Sequence, residues 1–253
     1  MADCKKYFFL YRRERSGSPP RHARGSRQSR LLVNTTAFCL FLVCVSVLLF
    51  PLRAAASEVN CYLVPERAYI PPEEAREAGR KMLRWMRDNG WIEKTSRGKT
   101  YDGEGYAFTD AAEALVTPRD RPRLFPARST VYNLPGGPHI TFAFSVVSDG
   151  KEVFHPMEGA GETVAHCPAC KKELELGTFG DMINVWFTSD NNPPVPCPLC
   201  GAEHDINAYR LDPQWGFSTL GFGFFDIYEL SPEFIAAFGA ELGEPVRLVS
   251  VSR

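Results

Sequence analysis

What this 253-residue chain lacks narrows its chemistry before any motif is found. There is no serine elbow: in Gly216-Phe217-Ser218-Thr219-Leu220 a leucine stands where the second glycine belongs, and no acid or histidine is tied to the serine. There is no dinucleotide loop, because Gly221-Phe222-Gly223 lacks a strand-turn-helix context. A surplus of positive charge is missing from most of the chain. Residues 1–58 carry ten Lys or Arg against three acids, but from Val59 onward 19 basic residues face 27 acidic ones, a net charge of about −8. Such a domain repels a polyphosphate unless its few cations are gathered on one face. Apolar residues, by contrast, are not scarce. At 44% hydrophobic and 23% charged, the composition is that of a globular protein with an ordinary core.

Charge is also absent between Arg30 and Arg53, where Ala37–Leu52 is almost continuously apolar. This stretch is at the short limit for a membrane span and slightly long for the core of a signal peptide. Three readings compete. Ala54-Ala55-Ala56-Ser57 supplies the small residues of a cleavage site, so 31–56 can be an export signal. It can equally be an uncleaved anchor behind a basic cytoplasmic arm, the one case in which a membrane is a partner. Alternatively, residues 1–58 are translated leader and the protein starts at Val59 through a GTG codon. The Arg/Ser/Pro/Gly bias of residues 12–30 and the need of paired cysteines for a reducing compartment favour this third reading, which places the protein in the cytoplasm. The expected organisation is therefore a basic, hydrophobic arm over 1–58 and one domain over 59–253.

Within that domain, Val59–Val64 reads as a strand, and Pro71-Pro72-Glu73-Glu74 opens a helix over 72–89 whose Ala75, Ala78, Met82, Leu83 and Met86 share one face. A short helix is expected over Asp110–Val116. Ile140–Val147 is β-branched and aromatic, and after the Ser148-Asp149-Gly150 turn Lys151–His155 is expected to return antiparallel to it. Phe222–Leu230 reads as a strand, Ser231-Pro232-Glu233 caps a helix ended by Gly243, and Val246–Val251 completes a β-α-β close. The fold class is α+β: a small mixed sheet, two main helices and an inserted zinc ribbon over about 164–210.

The insertion carries the strongest motif. Cys167-Pro168-Ala169-Cys170 and Cys197-Pro198-Leu199-Cys200 are two C-P-x-C units 26 residues apart. Two residues between paired cysteines let one tight turn present both thiolates to a single ion, and Gly201 suits the left-handed backbone that follows the second ligand. Four cysteines leave no open coordination position, so the zinc is read as structural. A redox dithiol would open a helix and needs no second copy, disulfides require export, and a rubredoxin-like iron site uses the same turns. His166 and His204 flank the units as supporting or surface imidazoles rather than ligands. Cys4, Cys39, Cys44 and Cys61 have no ligand spacing.

The remaining candidates read as structure. Pro135-Gly136-Gly137-Pro138 before His139 is a turn, Gly103-Glu104-Gly105 a loop, and Trp215, Phe217, Phe222, Phe224, Phe225 and Tyr228 are core aromatics rather than a base-stacking platform, since their charged neighbours are Asp212, Asp226 and Glu229. No catalytic residue emerges. The knuckles resemble those of zinc-ribbon proteins over about 35 residues. Together with the order of elements and the last forty residues, the chain looks like a group of uncharacterised bacterial zinc-ribbon (CPxC…CPxC) proteins. That resemblance implies a small soluble cytosolic protein of unassigned role, one like the immunity proteins paired with bacterial toxins. The leading expectation is a zinc-stabilised domain whose acidic surface binds a basic protein partner. The alternative is a nucleic-acid-associated ribbon, which requires Lys171, Lys172 and Arg210 to group beside the knuckles. A hydrolase comes third, and requires His139, His155 or His204 to meet a carboxylate.

Overall fold

The computed structural model describes residues 59–118, 129–156, 163–227 and 229–252. The arm expected at 1–58, with its apolar 31–52 stretch, lies outside these residues, as does Tyr228. In chain order the elements are β1 (Val59–Pro65), α1 (Pro72–Asp88), β2 (Gly98–Thr100), β3 (Gly103–Ala107), a 3-10 helix (Asp110–Leu115), β4 (Val131–Leu134), β5 (Gly137–Ile140), β6 (Ala143–Val147) and β7 (Glu152–Phe154). The ribbon segment follows as β8 (Val164–His166), β9 (Glu173–Leu174), α2 (Leu176–Thr188), β10 (Val195–Pro196), β11 (Glu203–His204), a 3-10 turn (Ile206–Ala208) and β12 (Arg210–Asp212). The chain closes with β13 (Gly216–Ser218), β14 (Gly221–Phe225), α3 (Pro232–Leu242) and β15 (Val246–Ser252).

Eight strands form one mixed sheet in the order β15-β1-β14-β6-β3-β2-β5-β4. Its one parallel pair among the described residues is β2–β5, joined at Lys99 and His139. The class is α+β, as the sequence indicates, with a sheet broader than the small one expected. The β-α-β close is present, but β1 lies between its two strands and pairs antiparallel with each, Cys61 facing Phe224 on one side and Ser250 on the other. Alternation along β1 then sends Cys61 and Leu63 to one face and Tyr62 and Val64 to the other.

On the first face α1 and α3 supply the cover. Met82 and Met86 of α1 and Phe234 and Phe238 of α3 pack on Leu63, Phe144, Phe222 and Phe224. Phe222 and Phe238 meet edge-to-face at 4.9 Å between ring centroids. Each such side chain removes enough apolar surface from water to contribute about 2–3 kcal/mol. Both helix starts match their sequence signals: Pro72 takes the first turn of α1, and the Ser231 hydroxyl accepts from the Phe234 amide at the head of α3. On the second face Tyr62, Val64, Phe225, Val249 and Val251 bury around Phe154 of β7.

Three sequence expectations fail here. Gly103-Glu104-Gly105, expected as a loop, opens β3 and pairs with β2. The 140–155 hairpin is absent: β7 pairs with β13, Phe154 facing Gly216, because both edges of β6 are already occupied by β14 and β3. The strand expected over 222–230 stops at Phe225, where Asp226 bends the backbone at φ 60° and its carboxylate accepts from the Phe142 amide across the sheet.

Candidate metal centre

Each C-P-x-C unit occupies the tip of a two-stranded hairpin. β8 and β9 lead into and out of the first, with Ala165 facing Leu174 and His166 facing Glu173. β10 and β11 flank the second, with Val195 facing His204. The two tips share one backbone pattern. Lys171 N–H donates to Cys167 O at 3.0 Å and Cys167 N–H to Lys172 O at 3.1 Å; Gly201 N–H donates to Cys197 O and Cys197 N–H to Ala202 O, both at 2.8 Å. Neither tip opens a helix, as a redox dithiol would.

The residue after each second cysteine takes a left-handed backbone, Lys171 at φ 61° and Gly201 at φ 73°. Glycine adopts this freely, whereas lysine incurs about 1 kcal/mol of strain through its Cβ. The sequence thus uses glycine in one knuckle and retains a strained lysine in the other.

The two tips converge. The ligand atoms of Cys167, Cys170, Cys197 and Cys200 all lie within 4.8 Å of one another. Cys167 Sγ and Cys200 Sγ are 3.8 Å apart, which matches the edge of a tetrahedron with metal–sulfur bonds of about 2.3 Å, itself about 3.8 Å. All four are free thiols in this arrangement. Four soft sulfurs at that spacing are a donor set for one thiophilic ion.

The thiols are not equivalent. Burial pushes the Cys167 thiol up, but the amides of Cys170 and Ala169 and the sulfurs of Cys197 and Cys170 outweigh it and hold it down at about 6. The Ala202 amide pulls Cys200 down, yet desolvation and the other three sulfurs push it up to about 11. Behind the sulfurs Tyr209 is buried, with its hydroxyl donating to Val195 O at 3.0 Å. Burial, followed by the fields of Cys197 and Cys167, pushes its pKa well above the usual phenol value, so it stays a neutral donor.

A second apolar core supports the site. Between the knuckles lies α2, which sequence reasoning missed. It buries Phe179, Met182 and Trp186 against Ala165, Leu174, Val195, Ile206, Leu211 and Phe217. Its sequence carries two glycines, no acid in its first turn and no capping side chain, so local helix signals are absent and tertiary contacts hold it. Lys151 then closes its C-terminal end, with Nζ donating to the carbonyls of Trp186, Ser189 and Asn191 and to the Ser189 hydroxyl. A cation opposite the carbonyl end of a helix is favourably placed.

One buried amide ties the ribbon to the main sheet. Asn207 Nδ2 donates to Glu66 O at 2.9 Å and to Phe217 O at 2.7 Å, and Asn207 Oδ1 accepts from the Phe217 amide at 3.1 Å. From β15, Arg247 donates to the carbonyl oxygens of Asn207 and Trp215.

No family model, no curated protein and no solved structure matches this chain. The site is therefore read from its own residues.

The histidines fall away from the sulfur cluster. His166 is half-buried on β8, directly opposite Arg210 of β12. His204 lies edge-on to Tyr209 at 5.9 Å, with a buried Nε2 that has no partner among the described residues. His139 faces the Tyr101 ring; His155 bonds Pro156 O and packs on Trp215. Among the described residues none of the three histidines required by a hydrolase is joined to a carboxylate. The aromatic candidates divide between cores, with Phe222 and Phe224 under the helices, Phe225 on the opposite face and Phe217 with the ribbon. No helix among the described residues is long and apolar enough to cross a membrane.

Proposed function

We propose that Cys167, Cys170, Cys197 and Cys200 bind one structural zinc ion, and that the domain is a non-enzymatic protein-interaction module of the toxin-immunity kind. The convergence of four thiol sulfurs within 4.8 Å carries the metal assignment. Four sulfurs fill a tetrahedron and leave no position for water or substrate, so the ion would act as a clasp between hairpins separated by α2. Zinc is preferred to iron because a redox-silent ion suits a structural role. The interaction role rests on the net charge of about −8 from Val59 onward, which speeds encounter with a basic partner.

The test is metal content per chain. The wild type is expected to hold one zinc per chain, and Cys197→Ser to lose it together with much of its thermal stability, since a structural zinc supplies on the order of 10 kcal/mol of folding free energy. An unchanged metal load and unfolding temperature in Cys197→Ser would remove the assignment. For the partner, co-purification with a basic protein encoded beside this chain supports the reading, and salt-insensitive association opposes it.

One observation favours the nucleic-acid reading: Lys171 and Arg210 line the same concavity beside the first knuckle. Two cations are too few for a phosphate track, and Glu173 and Asp212 flank them on β9 and β12. The protein-interaction reading is retained.

A further inference from the structure

The concavity beside the first knuckle has a volume of about 370 Å³ and is lined by His166, Cys167, Pro168, Lys171, Ala208 and Arg210. Its cationic wall is built by two independent local devices. The first is strand register. Arg210 and His166 are direct antiparallel partners on β12 and β8, so their side chains stand together on one face. The second is the strained backbone at Lys171, where φ is 61° and the other knuckle places Gly201. A glycine would relieve the strain but would remove the ammonium from this wall. Strain kept at one of two equivalent positions points to a use for the side chain.

The wall's charge is uncommitted. Arg67, Arg76, Lys81 and Arg97 all form ion pairs with glutamates, whereas neither Lys171 nor Arg210 forms one among the described residues. Glu173 faces His166 from β9, and Asp212 lies two residues beyond Arg210, yet neither lines the concavity. On a domain of net charge about −8, this concavity gathers an ammonium and a guanidinium beside the Cys167 sulfur, a local concentration of cationic donors.

We propose that this pocket binds a phosphate dianion, free or as the terminal phosphate of a small monoester. A guanidinium offers two parallel N–H donors to a phosphoryl group and a lysine adds a point charge, a pairing suited to a dianion more than to a single carboxylate. The site borders the tetrathiolate and shares Cys167 in its lining, but it takes its anion through the donors of Lys171 and Arg210 rather than through the metal. It also does not extend to a polynucleotide, because no further cation lines it.

Calorimetric titration of the full, metal-loaded chain with inorganic phosphate and with phosphoserine, each against chloride at equal ionic strength, tests the assignment. Saturable binding in the millimolar range or tighter is expected, weakened at least about tenfold in Lys171→Gly and in Arg210→Gln. Tighter binding of phosphoserine than of phosphate identifies the monoester as the ligand; equal binding identifies the free ion. Lys171→Gly is also expected to keep its metal and to unfold about 2–4 °C higher, because the backbone strain is gone. Three results would overturn the proposal. One is no saturable binding above the chloride control, or binding indifferent to both substitutions. Another is metal loss or a lower unfolding temperature in Lys171→Gly, which would assign the lysine to balancing the thiolates. The last is Lys171- and Arg210-dependent binding of a single-stranded oligonucleotide more than about tenfold tighter than phosphoserine, which would make the pocket part of a nucleic-acid surface.

Discussion

Replacing Asn207 by alanine removes three hydrogen bonds at once and leaves their backbone partners, Glu66 O and both polar groups of Phe217, without the amide that satisfied them. Phe217 is fully buried and Asn207 only 8% exposed, so water cannot take over without opening the seam between ribbon and sheet. A stranded buried donor or acceptor costs about 1–3 kcal/mol, and the Phe217 pair alone therefore predicts a loss of about 2–6 kcal/mol. That is a large fraction of the roughly 5–15 kcal/mol that holds a domain together. Equilibrium urea unfolding followed by tryptophan fluorescence reports on both sides of the seam, since Trp186 and Trp215 pack with the ribbon and Trp85 and Trp91 with α1 and α3. The expected result is a midpoint shift matching that loss, with the ribbon tryptophans responding first. A loss below about 1 kcal/mol would mean that the seam is held by apolar contact alone, and the hydrogen-bond reasoning would be wrong.

Gly221→Ala places a Cβ 2.2 Å from Cζ of the buried Phe154 ring, so β7 must move or the ring must turn; a loss of about 1–3 kcal/mol is expected in thermal unfolding, partly restored by adding Phe154→Leu. Lys151→Met removes the cation that gathers the carbonyls at the end of α2; it is expected to cost about 2–4 kcal/mol and to increase amide hydrogen exchange over Asn184–Thr188 without changing it in β1.

The knuckles, α1 and α3 were legible because their signals are local. Two cysteines with two residues between them, a proline-led acidic helix start and a serine cap followed by a left-handed glycine each fix a few neighbouring residues whatever the rest of the chain does. The sheet was only partly legible. Strand positions 59–64 and 246–251 follow from apolar runs, but the insertion of β1 between β14 and β15 is a matter of long-range pairing that no short pattern encodes. The 140–155 hairpin failed for the same reason. A good turn at Ser148-Asp149-Gly150 competes with two better partners for β6, and the partners win. Within the site, the cysteines were evident from spacing. Asn207 and Lys151 were not, since a lone amide or lysine in a polar stretch has no periodicity to distinguish it from a surface residue. Helix α2 was hidden because its glycines and uncapped start oppose the burial that forms it.

The position of β1 has a consequence for how the chain is made. Its two neighbours, β14 and β15, come from residues 221–225 and 246–252, so the first of the described strands must wait for nearly the whole domain before one edge is covered, and for the last strand before both are. At about 5–20 residues per second, that delay is roughly 10–40 s on the ribosome. The ribbon needs no such wait: its knuckles, α2 and β12 lie within residues 164–212 and can close as soon as they emerge, given a metal ion for the thiols. Maturation would then run from the middle outward. A chain cut short before Val246 would retain the ribbon and leave one edge of β1 bare, making it a natural substrate for strand-binding chaperones and proteases.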